Sequence, residues 1–334
     1  MSDKLPLSDM MSTLPAPHPA PPLSTDLAPL AERATAYAAA ATSENTRRAY
    51  RAAWADFAAW CQERQLEALP ASEAIVGLFL ADRAATLKNA SLRTRLVAIT
   101  RAHRVRGLHL DTKAPQIRDV MQGIARTHGR AVTKKAPATL DVLRDAVRAL
   151  AKDDTLRSLR DRAIMLLGFA AALRRSEISA IDVSHLRFTA EGLVLTLPRR
   201  KTDQEGVGTE IGVPYGQDAR YCPVYAVKAW MERAALDEGP LLRSISRADR
   251  PKALRLSDRD VARVIQAAVE RAGYGPREFG GHSLRAGFAT TAGRAGIPER
   301  LIMLQTGHKS LPVLRGYIRR GSLFTENAAA MLGI

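Results

Sequence analysis

The spacing of hydrophobic residues along the chain predicts a mainly helical protein with one small antiparallel β-sheet. Apolar positions that recur every three or four residues predict a helix that begins after residue 43 and others at about 26–41, 72–85, 91–106, 115–125, 139–151, 156–172, 223–235 and 257–272. Between these helices, Leu193, Leu195 and Leu197 alternate on one face of a predicted strand. Residues 209–213 predict a second strand, joined to the first by a basic loop.

Aromatic and aliphatic side chains mark the predicted core of the first group of helices. Either Ser43 or Asn45 can cap the helix that begins there, because both side chains can accept a hydrogen bond from the first turn. The residues expected to face inward are Tyr50, Trp54, Phe57 and Trp60 on that helix, Ile75, Leu78 and Phe79 on the next, and Leu92, Leu96, Ile99 and His103 on the third. Together these faces predict a helical domain over residues 43–129.

Changes in composition divide the rest of the chain into segments. Residues 1–42 form a Pro- and Ala-rich tail, predicted to be disordered apart from a short Ala-rich helix at its end. Residues 130–137 are polar, basic and closed by a proline, as is typical of an interdomain linker. A second domain is predicted over residues 138–334. It ends in an apolar helix that either folds onto its own domain or docks on a neighbouring subunit.

The charge of the chain points to a polyanionic partner. There are 50 Lys and Arg residues against 34 Asp and Glu, a formal net charge of +16, and nucleic acid is the first candidate for such a field. Three arginines follow one flank of the third helix, and residues 83–106 hold seven cations and no acid. A solvated surface is the alternative, but the missing acids favour phosphate contacts. The predicted DNA-binding residues are Arg93, Arg101, Arg104, Lys134 and Lys135.

Several other classes of protein are excluded by composition. Cys61 and Cys222 lie far apart without metal-type spacing, which fits a reducing compartment rather than a disulfide framework. The first residues lack an apolar signal core, and the longest uncharged apolar run, 163–173, is too short to span a bilayer. No nucleotide-binding loop or metal-binding motif is present. We therefore expect a cytoplasmic protein with no membrane segment, no cofactor and no metal.

The richest chemistry lies near the C-terminus. His282 and Arg285 are three residues apart, so a helix would present both to one small target. A Gly-His pair ending at His308 follows, and Tyr317 comes nine residues later. An arginine fork suits an oxyanion, histidine can move a proton, and tyrosine is a potential nucleophile. Each residue alone is ordinary, since most helical tyrosines belong to a core and a histidine can interact with a helix dipole.

Two earlier positions add cations to this set. Arg174 and Glu177 directly follow the predicted buried helix, where ionised groups need partners or a function. A salt bridge between the two and a role of Arg174 in a site are equally good interpretations. Lys201 lies at the start of the loop between the two predicted strands, where an exposed surface lysine is the plainer interpretation.

Taken in order, these motifs resemble those of the tyrosine recombinase (phage integrase) family. The segment 172–177 reads ALRRSE, where the family usually has GLRxSE, and 282–285 reads HSLR, which matches its HxLR box. The family's LGH box appears as QTGH at 305–308, with Thr306 where leucine is common, and the tyrosine follows at the family's spacing. The resemblance covers about residues 43–334.

The resemblance implies a helical core-type DNA-binding domain and an α+β catalytic domain. It also implies roles for the site residues, with Tyr317 attacking the scissile phosphodiester and no ATP or metal required. The implied catalytic residues are Arg174, Lys201, His282, Arg285, His308 and Tyr317, while Glu177 would orient Arg174 or His282. Within the hairpin loop, Arg199 and Arg200 are rivals of Lys201 for the cation that protonates the departing 5′ oxygen.

The resemblance further implies double-stranded DNA with inverted-repeat core sites as the partner. A homodimer would occupy one site and a homotetramer the synapse, with the C-terminal helix docking in cis or in trans. Such an enzyme would be cytoplasmic and associated with the nucleoid. Two alternatives stay open: a type IB topoisomerase-like enzyme, and a non-catalytic sequence-specific DNA-binding protein.

Overall fold

The computed structural model describes residues 27–129, 135–198, 208–321 and 332. The chain divides into two compact units, Met1–Val132 and Thr133–Ile334. Most of the described residues are helical, and the strands form small antiparallel sheets. The predicted fold class is therefore confirmed.

The described part of the first unit is wholly helical. Its helices are α1 (Ala28–Ala40), α2 (Glu44–Glu63), α3 (Glu73–Ala84), α4 (Asn89–Val105) and α5 (Pro115–Thr127). Ser43, rather than Asn45, is the cap of α2, since its side chain accepts a hydrogen bond from the Thr46 amide. Ser72 caps α3 in the same way, through the Ile75 amide. Both helices begin where the sequence offers a short polar side chain.

An aromatic cluster forms the core of the first unit. Trp54, Phe57, Trp60 and Phe79 are buried as predicted, and the Phe57 and Phe79 rings meet edge to face at 5.0 Å. The prediction for Leu78 is wrong, because its side chain is 62% exposed. The buried face of α3 carries instead Val76, Phe79 and Leu80. At 3.6 residues per turn, a residue two positions after Val76 points about 200° round the helix, toward solvent.

His103 joins two parts of this core. It is fully buried, its Nε2 accepts a hydrogen bond from the Ala71 amide, and its Nδ1 lies 2.9 Å from the Ile99 carbonyl oxygen. Since a carbonyl only accepts, Nδ1 is the protonated nitrogen. The side chain therefore ties α4 to the segment that leads into α3. His103 therefore has a structural role, which agrees with the prediction that it faces the core.

The second unit combines helices with two small sheets. Its helices are α6 (Leu140–Leu150), α7 (Leu156–Ala170), α8 (Arg175–Ala180), α9 (Pro223–Arg233), α10 (Asp258–Arg271), α11 (Ser283–Arg294), α12 (Glu299–Thr306) and α13 (Leu311–Gly321). Its strands are β1 (Leu186–Phe188), β2 (Gly192–Leu197), β3 (Thr209–Pro214), β4 (Arg243–Ile245) and β5 (Pro251–Arg255). Helix α7 is buried along most of its length and packs against α6, α9 and α11.

The first sheet has the antiparallel order β1-β2-β3, with Leu193 opposite Val213 and Leu197 opposite Thr209. Leu193, Leu195 and Leu197 are all buried, which confirms the alternation read from the sequence. The second sheet, β4-β5, was not predicted. Its strands are short, and most residues of β5 are exposed, so they carry no alternating apolar signal.

The chain enters the second unit as an extended strap, residues 135–139, that lies along α11. The Ala136 amide donates to the Glu278 carbonyl at 2.7 Å, and the Ala138 amide donates to the Ser283 carbonyl at 2.9 Å. A Cβ atom at Gly287 would lie 1.7 Å from the Ala138 carbonyl oxygen. Only glycine allows so close an approach, so Gly287 lets the strap bind directly against the helix.

Candidate active site

The turn between α7 and α8, residues 170–174, is where several predicted site segments meet. Ala172 adopts a left-handed conformation with φ +49°, which a glycine would adopt without strain. The Ala172 carbonyl accepts a hydrogen bond from Arg285 Nη1 at 2.9 Å. The Ala170 carbonyl accepts one from Gln305 Nε2 at 2.8 Å. This turn therefore receives one side chain from α11 and another from α12.

Arg174 is the N-cap residue of α8 and is held by Glu177 through two contacts. Arg174 Nη1 lies 2.5 Å from Glu177 Oε1, and the Arg174 backbone amide donates to Glu177 Oε2 at 2.8 Å. The two side chains are only 13% and 5% exposed. The salt bridge that the sequence left open is therefore present. It also fixes the direction of the arginine, so the two interpretations do not exclude each other.

The neighbouring Arg175 turns elsewhere. Its Nε lies 3.3 Å from Asp258 Oδ2 at the start of α10, and about half of the side chain is exposed. A Cβ atom at Gly281 would lie 2.3 Å from Arg175 Cδ, so the chain just before His282 passes against this side chain. Of the two adjacent arginines, Arg174 therefore has the mostly buried side chain and Arg175 the more exposed one.

Helix α11 carries His282 and Arg285 at its start. His282 is the exposed N-cap residue, and Arg285, one turn later, is only 5% exposed. Their spacing on one helix is as predicted. The hydrogen bond from Arg285 to the Ala172 carbonyl brings its guanidinium beside the turn that leads into Arg174. Two of the predicted phosphate-binding cations thus lie at one place in the fold.

Glycine ends α12 just before His308. Gly307 has φ +64° and ψ +35°, and its amide donates to the Met303 carbonyl at 2.7 Å. This left-handed C-cap is the usual way to stop a helix with glycine, and it directs the next residue out of the helix. His308 Nδ1 then lies 2.8 Å from Thr306 Oγ1. The Gly-His pair read from the sequence is thus a helix end that presents an imidazole.

Tyr317 lies on α13, where its ring is partly buried next to His308. The two ring centroids are 5.9 Å apart. A small apolar cluster packs against the tyrosine and joins α11, α12 and α13; its buried members are Ala289, Ala292, Ile302 and Leu314. The second half of the predicted site is therefore assembled from three consecutive helices.

Several predicted positions lie outside the described residues. These are Lys201, its rivals Arg199 and Arg200, the linker residue Lys134, and residues 322–331 and 333–334 of the predicted apolar C-terminal helix. Lys135 is described, and its Nζ donates to the Arg277 carbonyl oxygen at 2.5 Å. That contact anchors the exposed lysine beside the start of the strap.

The predicted DNA-binding arginines Arg93, Arg101 and Arg104 are all exposed on α4. Arg101 also donates to Thr42 Oγ1 at 3.4 Å and lies over the Tyr50 ring, with 5.9 Å between its Cζ atom and the ring centroid. These contacts leave the side chain at the surface. A shared cationic face on α4 is thus in place.

The segment 83–106 contains no acidic residue, but an acidic side chain from another helix pairs with two of its arginines. Asp56 on α2 accepts hydrogen bonds from Arg83 and Arg95, at 3.0 and 2.5 Å. Burial by itself would raise the pKa of Asp56, but the hydrogen bonds from the two guanidinium groups outweigh it and hold the pKa below its usual value. Two of the seven cations in 83–106 are therefore neutralised within the unit, and the argument from missing acids is weaker than the sequence suggests.

No group of three or more His, Cys, Asp or Glu side chains in the described ranges could hold a metal ion. Among the helices described, none is long and apolar enough to cross a membrane.

The structure shows contacts at the candidate site for two residues to which the sequence analysis assigned no role. Gln305 Nε2, besides its bond to Ala170, lies 3.4 Å from the Gly212 carbonyl on β3, so it links α12 to β3, the strand that follows Lys201 in the sequence. Thr306 contacts His308 directly. Thr306 had one signal in the sequence, because it replaces the leucine common in the family. For Gln305 the sequence offered none.

The ion pair with Glu177 leads to a first prediction. Under the roles that the resemblance to tyrosine recombinases implies, we expect Glu177→Gln to slow single-turnover DNA cleavage by roughly tenfold or more, because the neutral amide no longer holds the mostly buried guanidinium of Arg174 by charge. DNA affinity should stay unchanged. Cleavage of a nicked duplex by excess enzyme measures the rate, and a filter or gel-shift assay measures the affinity.

A matched control exists in the same unit. Asp260 and Arg263 form an exposed pair with the same three-residue spacing on α10, and Asp260→Asn should leave cleavage unaltered. Equal loss in both variants, or an unchanged rate in Glu177→Gln, would contradict a role of Glu177 in orienting Arg174.

Comparison with known proteins gives consistent results. The family model described as "Phage integrase family" matches residues 140–321. An integrase/recombinase xerD homolog from Selenomonas ruminantium is 36% identical over 289 residues, covering 86% of this chain and 84% of the relative. More than half of the chain is thus matched by one model, and most of it by one relative.

Solved structures show the same fold. A crystal structure of the XerH site-specific recombinase bound to a palindromic difH substrate has a TM-score of 0.64 at 15% identity, covering 90% of this chain and 84% of that chain. A lambda integrase dimer bound to a COC′ core site has a TM-score of 0.54 at 17% identity, covering 86% of this chain and 75% of that chain. At such low identity, the likeness concerns the fold alone.

Proposed function

The chain belongs to the phage integrase family, and from that membership we propose that it is a site-specific DNA recombinase acting through a covalent bond to Tyr317. The observation that carries the proposal is the convergence of Arg174, Arg285 and the α12 helix end on the turn at 170–174. His308 and Tyr317 adjoin each other at that helix end. Arginines that hold a phosphate and a tyrosine that attacks it are the groups that phosphoryl transfer to a hydroxyl requires.

In the proposed mechanism, the Tyr317 hydroxyl oxygen attacks the scissile phosphorus. The new bond is a 3′-phosphotyrosyl ester, and the bond from phosphorus to the 5′ oxygen breaks. His282 assists removal of the phenolic proton, and Lys201 supplies a proton to the departing 5′ oxygen. The ester conserves the free energy of the phosphodiester. Rejoining, by attack of a 5′ hydroxyl on the same phosphorus, therefore requires no external energy source.

The remaining groups stabilise charge on the phosphate. Arg174 and Arg285 would hold the non-bridging oxygens, and His308 would donate a third hydrogen bond. The position of Glu177 suits the orientation of Arg174, since it already contacts both the guanidinium and the backbone amide. Preorganised donors of this kind are each worth roughly 3–4 kcal/mol of transition-state stabilisation in comparable oxyanion sites.

The partner in this proposal is double-stranded DNA with inverted-repeat core sites. The first unit would bind the DNA through Arg93, Arg101 and Arg104, whose side chains are exposed. A homodimer on one site and a homotetramer in the synapse are part of the proposal, as are a cytoplasmic location and association with the nucleoid. The lambda integrase neighbour, a dimer on a core site, supports the dimeric step by analogy.

A suicide substrate tests the function directly. A duplex with the core site and a nick just downstream of the cleavage position releases, after attack, the short fragment that bears the new 5′ hydroxyl, so the covalent intermediate accumulates. We expect a protein–DNA adduct that survives denaturation, with the DNA linked to the peptide containing Tyr317. Specific binding without an adduct would favour a DNA-binding protein that does not cleave. Relaxation of plasmids that lack any core site would favour a topoisomerase.

The arginines of α4 give a second prediction. Replacing Arg93, Arg101 and Arg104 by Gln should weaken DNA binding and flatten its salt dependence. Each lost phosphate contact should reduce the slope of log K against log salt by roughly 0.9. Titrations at several salt concentrations measure the slope.

The control for that experiment removes the same charge elsewhere. Arg148, Arg220 and Arg233 are exposed arginines of the second unit that pair with acids, and their replacement by Gln should leave most of the slope intact. If the α4 variant kept the full slope, that face would not contact DNA.

A further inference from the structure

The hydroxyl of Thr306 has its hydrogen-bond directions fixed by its surroundings. The side chain is fully buried at the end of α12. Its Oγ1 lies 2.6 Å from the Ile302 carbonyl oxygen, one turn back in the same helix. A carbonyl oxygen only accepts hydrogen bonds, so the single hydroxyl proton of Thr306 must point to it. Toward any other neighbour, Oγ1 can therefore act only as a hydrogen-bond acceptor.

That neighbour is the imidazole of His308. Its Nδ1 lies 2.8 Å from Thr306 Oγ1. Because the hydroxyl proton is already directed at Ile302, two bare acceptors would face each other unless Nδ1 carried a proton. Nδ1 is therefore the donor, and the bonds form a chain from His308 through Thr306 to the Ile302 carbonyl. A partner bond of this kind sets which nitrogen of a histidine is protonated.

We infer that Thr306 is a positioning residue for His308, one that holds Nδ1 protonated and directs Nε2 to the reacting phosphate. The inference rests on the proposed function for the identity of that target, but not for the protonation of Nδ1. Neutral imidazole has only one N–H, and here it belongs to Nδ1. His308 can therefore donate from Nε2 to a phosphate oxygen only as the imidazolium cation. The cation would also oppose the charge that develops in the transition state.

The backbone conformation of Gly307 helps to place His308 next to Thr306. Gly307 is left-handed and lets the chain fold back sharply after α12, so that His308 returns over the side chain two residues before it. Leucine, common at this position in the family, would fill the buried space but could not accept the hydrogen bond. In this chain the residue before the Gly-His pair therefore determines how the imidazole is held.

Nuclear magnetic resonance tests the protonation without any activity measurement. With ¹⁵N-labelled histidine, a long-range proton–nitrogen correlation spectrum distinguishes the two neutral forms, and His308→Gln assigns the signals. Above the pH at which His308 becomes neutral, we expect a protonated Nδ1 and a bare Nε2 in the wild type. Thr306→Val should move the ring toward the Nε2–H form. A wild-type spectrum with Nε2–H would overturn the inference, and this result needs no folded variant.

Kinetics tests the consequence for cleavage. Thr306→Val should slow single-turnover cleavage by roughly tenfold, with DNA affinity unchanged, while Thr306→Ser keeps the hydroxyl and restores the rate. On a His308→Gln background, Thr306→Val should cause no further loss, because the amide donates from the position of Nε2 and has no counterpart of Nδ1. Equal loss on both backgrounds would show that Thr306 acts only through helix packing.

Thr290 provides the matched control. It is as buried as Thr306, on α11, but within the described residues its Oγ1 has no hydrogen-bond partner. Thr290→Val should therefore leave both the histidine spectrum and the cleavage rate unchanged. If wild-type protein formed no adduct on any substrate, the proposed function would fail, and the spectrum would still decide the protonation of His308.

Discussion

Replacing Tyr317 by Phe should abolish the covalent protein–DNA adduct, with the cleavage rate falling by on the order of 10⁴-fold or more. The change removes one oxygen, the atom that would bond to phosphorus, and nothing else. The ring itself packs against the small cluster that joins α11, α12 and α13. Because phenylalanine retains that packing, the fold and the DNA affinity should survive.

Denaturing electrophoresis of the suicide duplex measures this result, and a thermal melt checks the fold. Tyr225→Phe is the control, since that tyrosine belongs to the same unit and its side chain is about half exposed. It should form the adduct at the wild-type rate. An adduct that persists in Tyr317→Phe would show that another residue is the nucleophile.

Arg285→Lys should lower the cleavage rate by roughly 10²–10³-fold while the protein still binds its DNA site. The Arg285 side chain is almost fully buried, and its Nη1 donates a hydrogen bond to the Ala172 carbonyl at 2.9 Å. A planar fork can hold that carbonyl and still present other donors to a phosphate. A lysine ammonium on a flexible stem keeps the charge but cannot reproduce both directions at once.

The same helix offers the control for this experiment. Arg294 is exposed in the last turn of α11, and Arg294→Lys should leave the cleavage rate unchanged. Binding is measured on uncleaved duplex, and stability by thermal melting. If Arg285→Lys lost site affinity and stability together with cleavage, the role of Arg285 would be to hold α11 against the α7–α8 turn.

The fold was predictable from the sequence wherever burial follows a regular period. The alternation of Leu193, Leu195 and Leu197 and the long apolar run of α7 each specify one face or one element, and the structure confirms them. Leu78 shows the limit of that reasoning. In α3 apolar residues occupy more than one face, so the pattern allows two orientations, and only packing against other helices selects between them.

The candidate site was predictable as a set of residues but not as an arrangement. Order and spacing brought out Arg174, His282, Arg285, His308 and Tyr317, whose roles remain predictions. The contacts that hold them depend on pairs far apart in the chain, such as Arg285 with Ala172. The same reason explains Asp56, whose pairing with Arg83 and Arg95 no local window can show. Distances between distant residues are set by the whole fold.

The strap at residues 135–139 has a consequence for where the second unit begins. The family match starts at residue 140, and a fragment cut there would keep every helix and strand described for the second unit. It would, however, lack the main-chain bonds from Ala136 and Ala138 to the Glu278 and Ser283 carbonyls. The backbone of Gly287, which the strap covers in the full chain, would become exposed to solvent. The compact second unit therefore begins ahead of its first helix and ahead of the residue at which the family match starts.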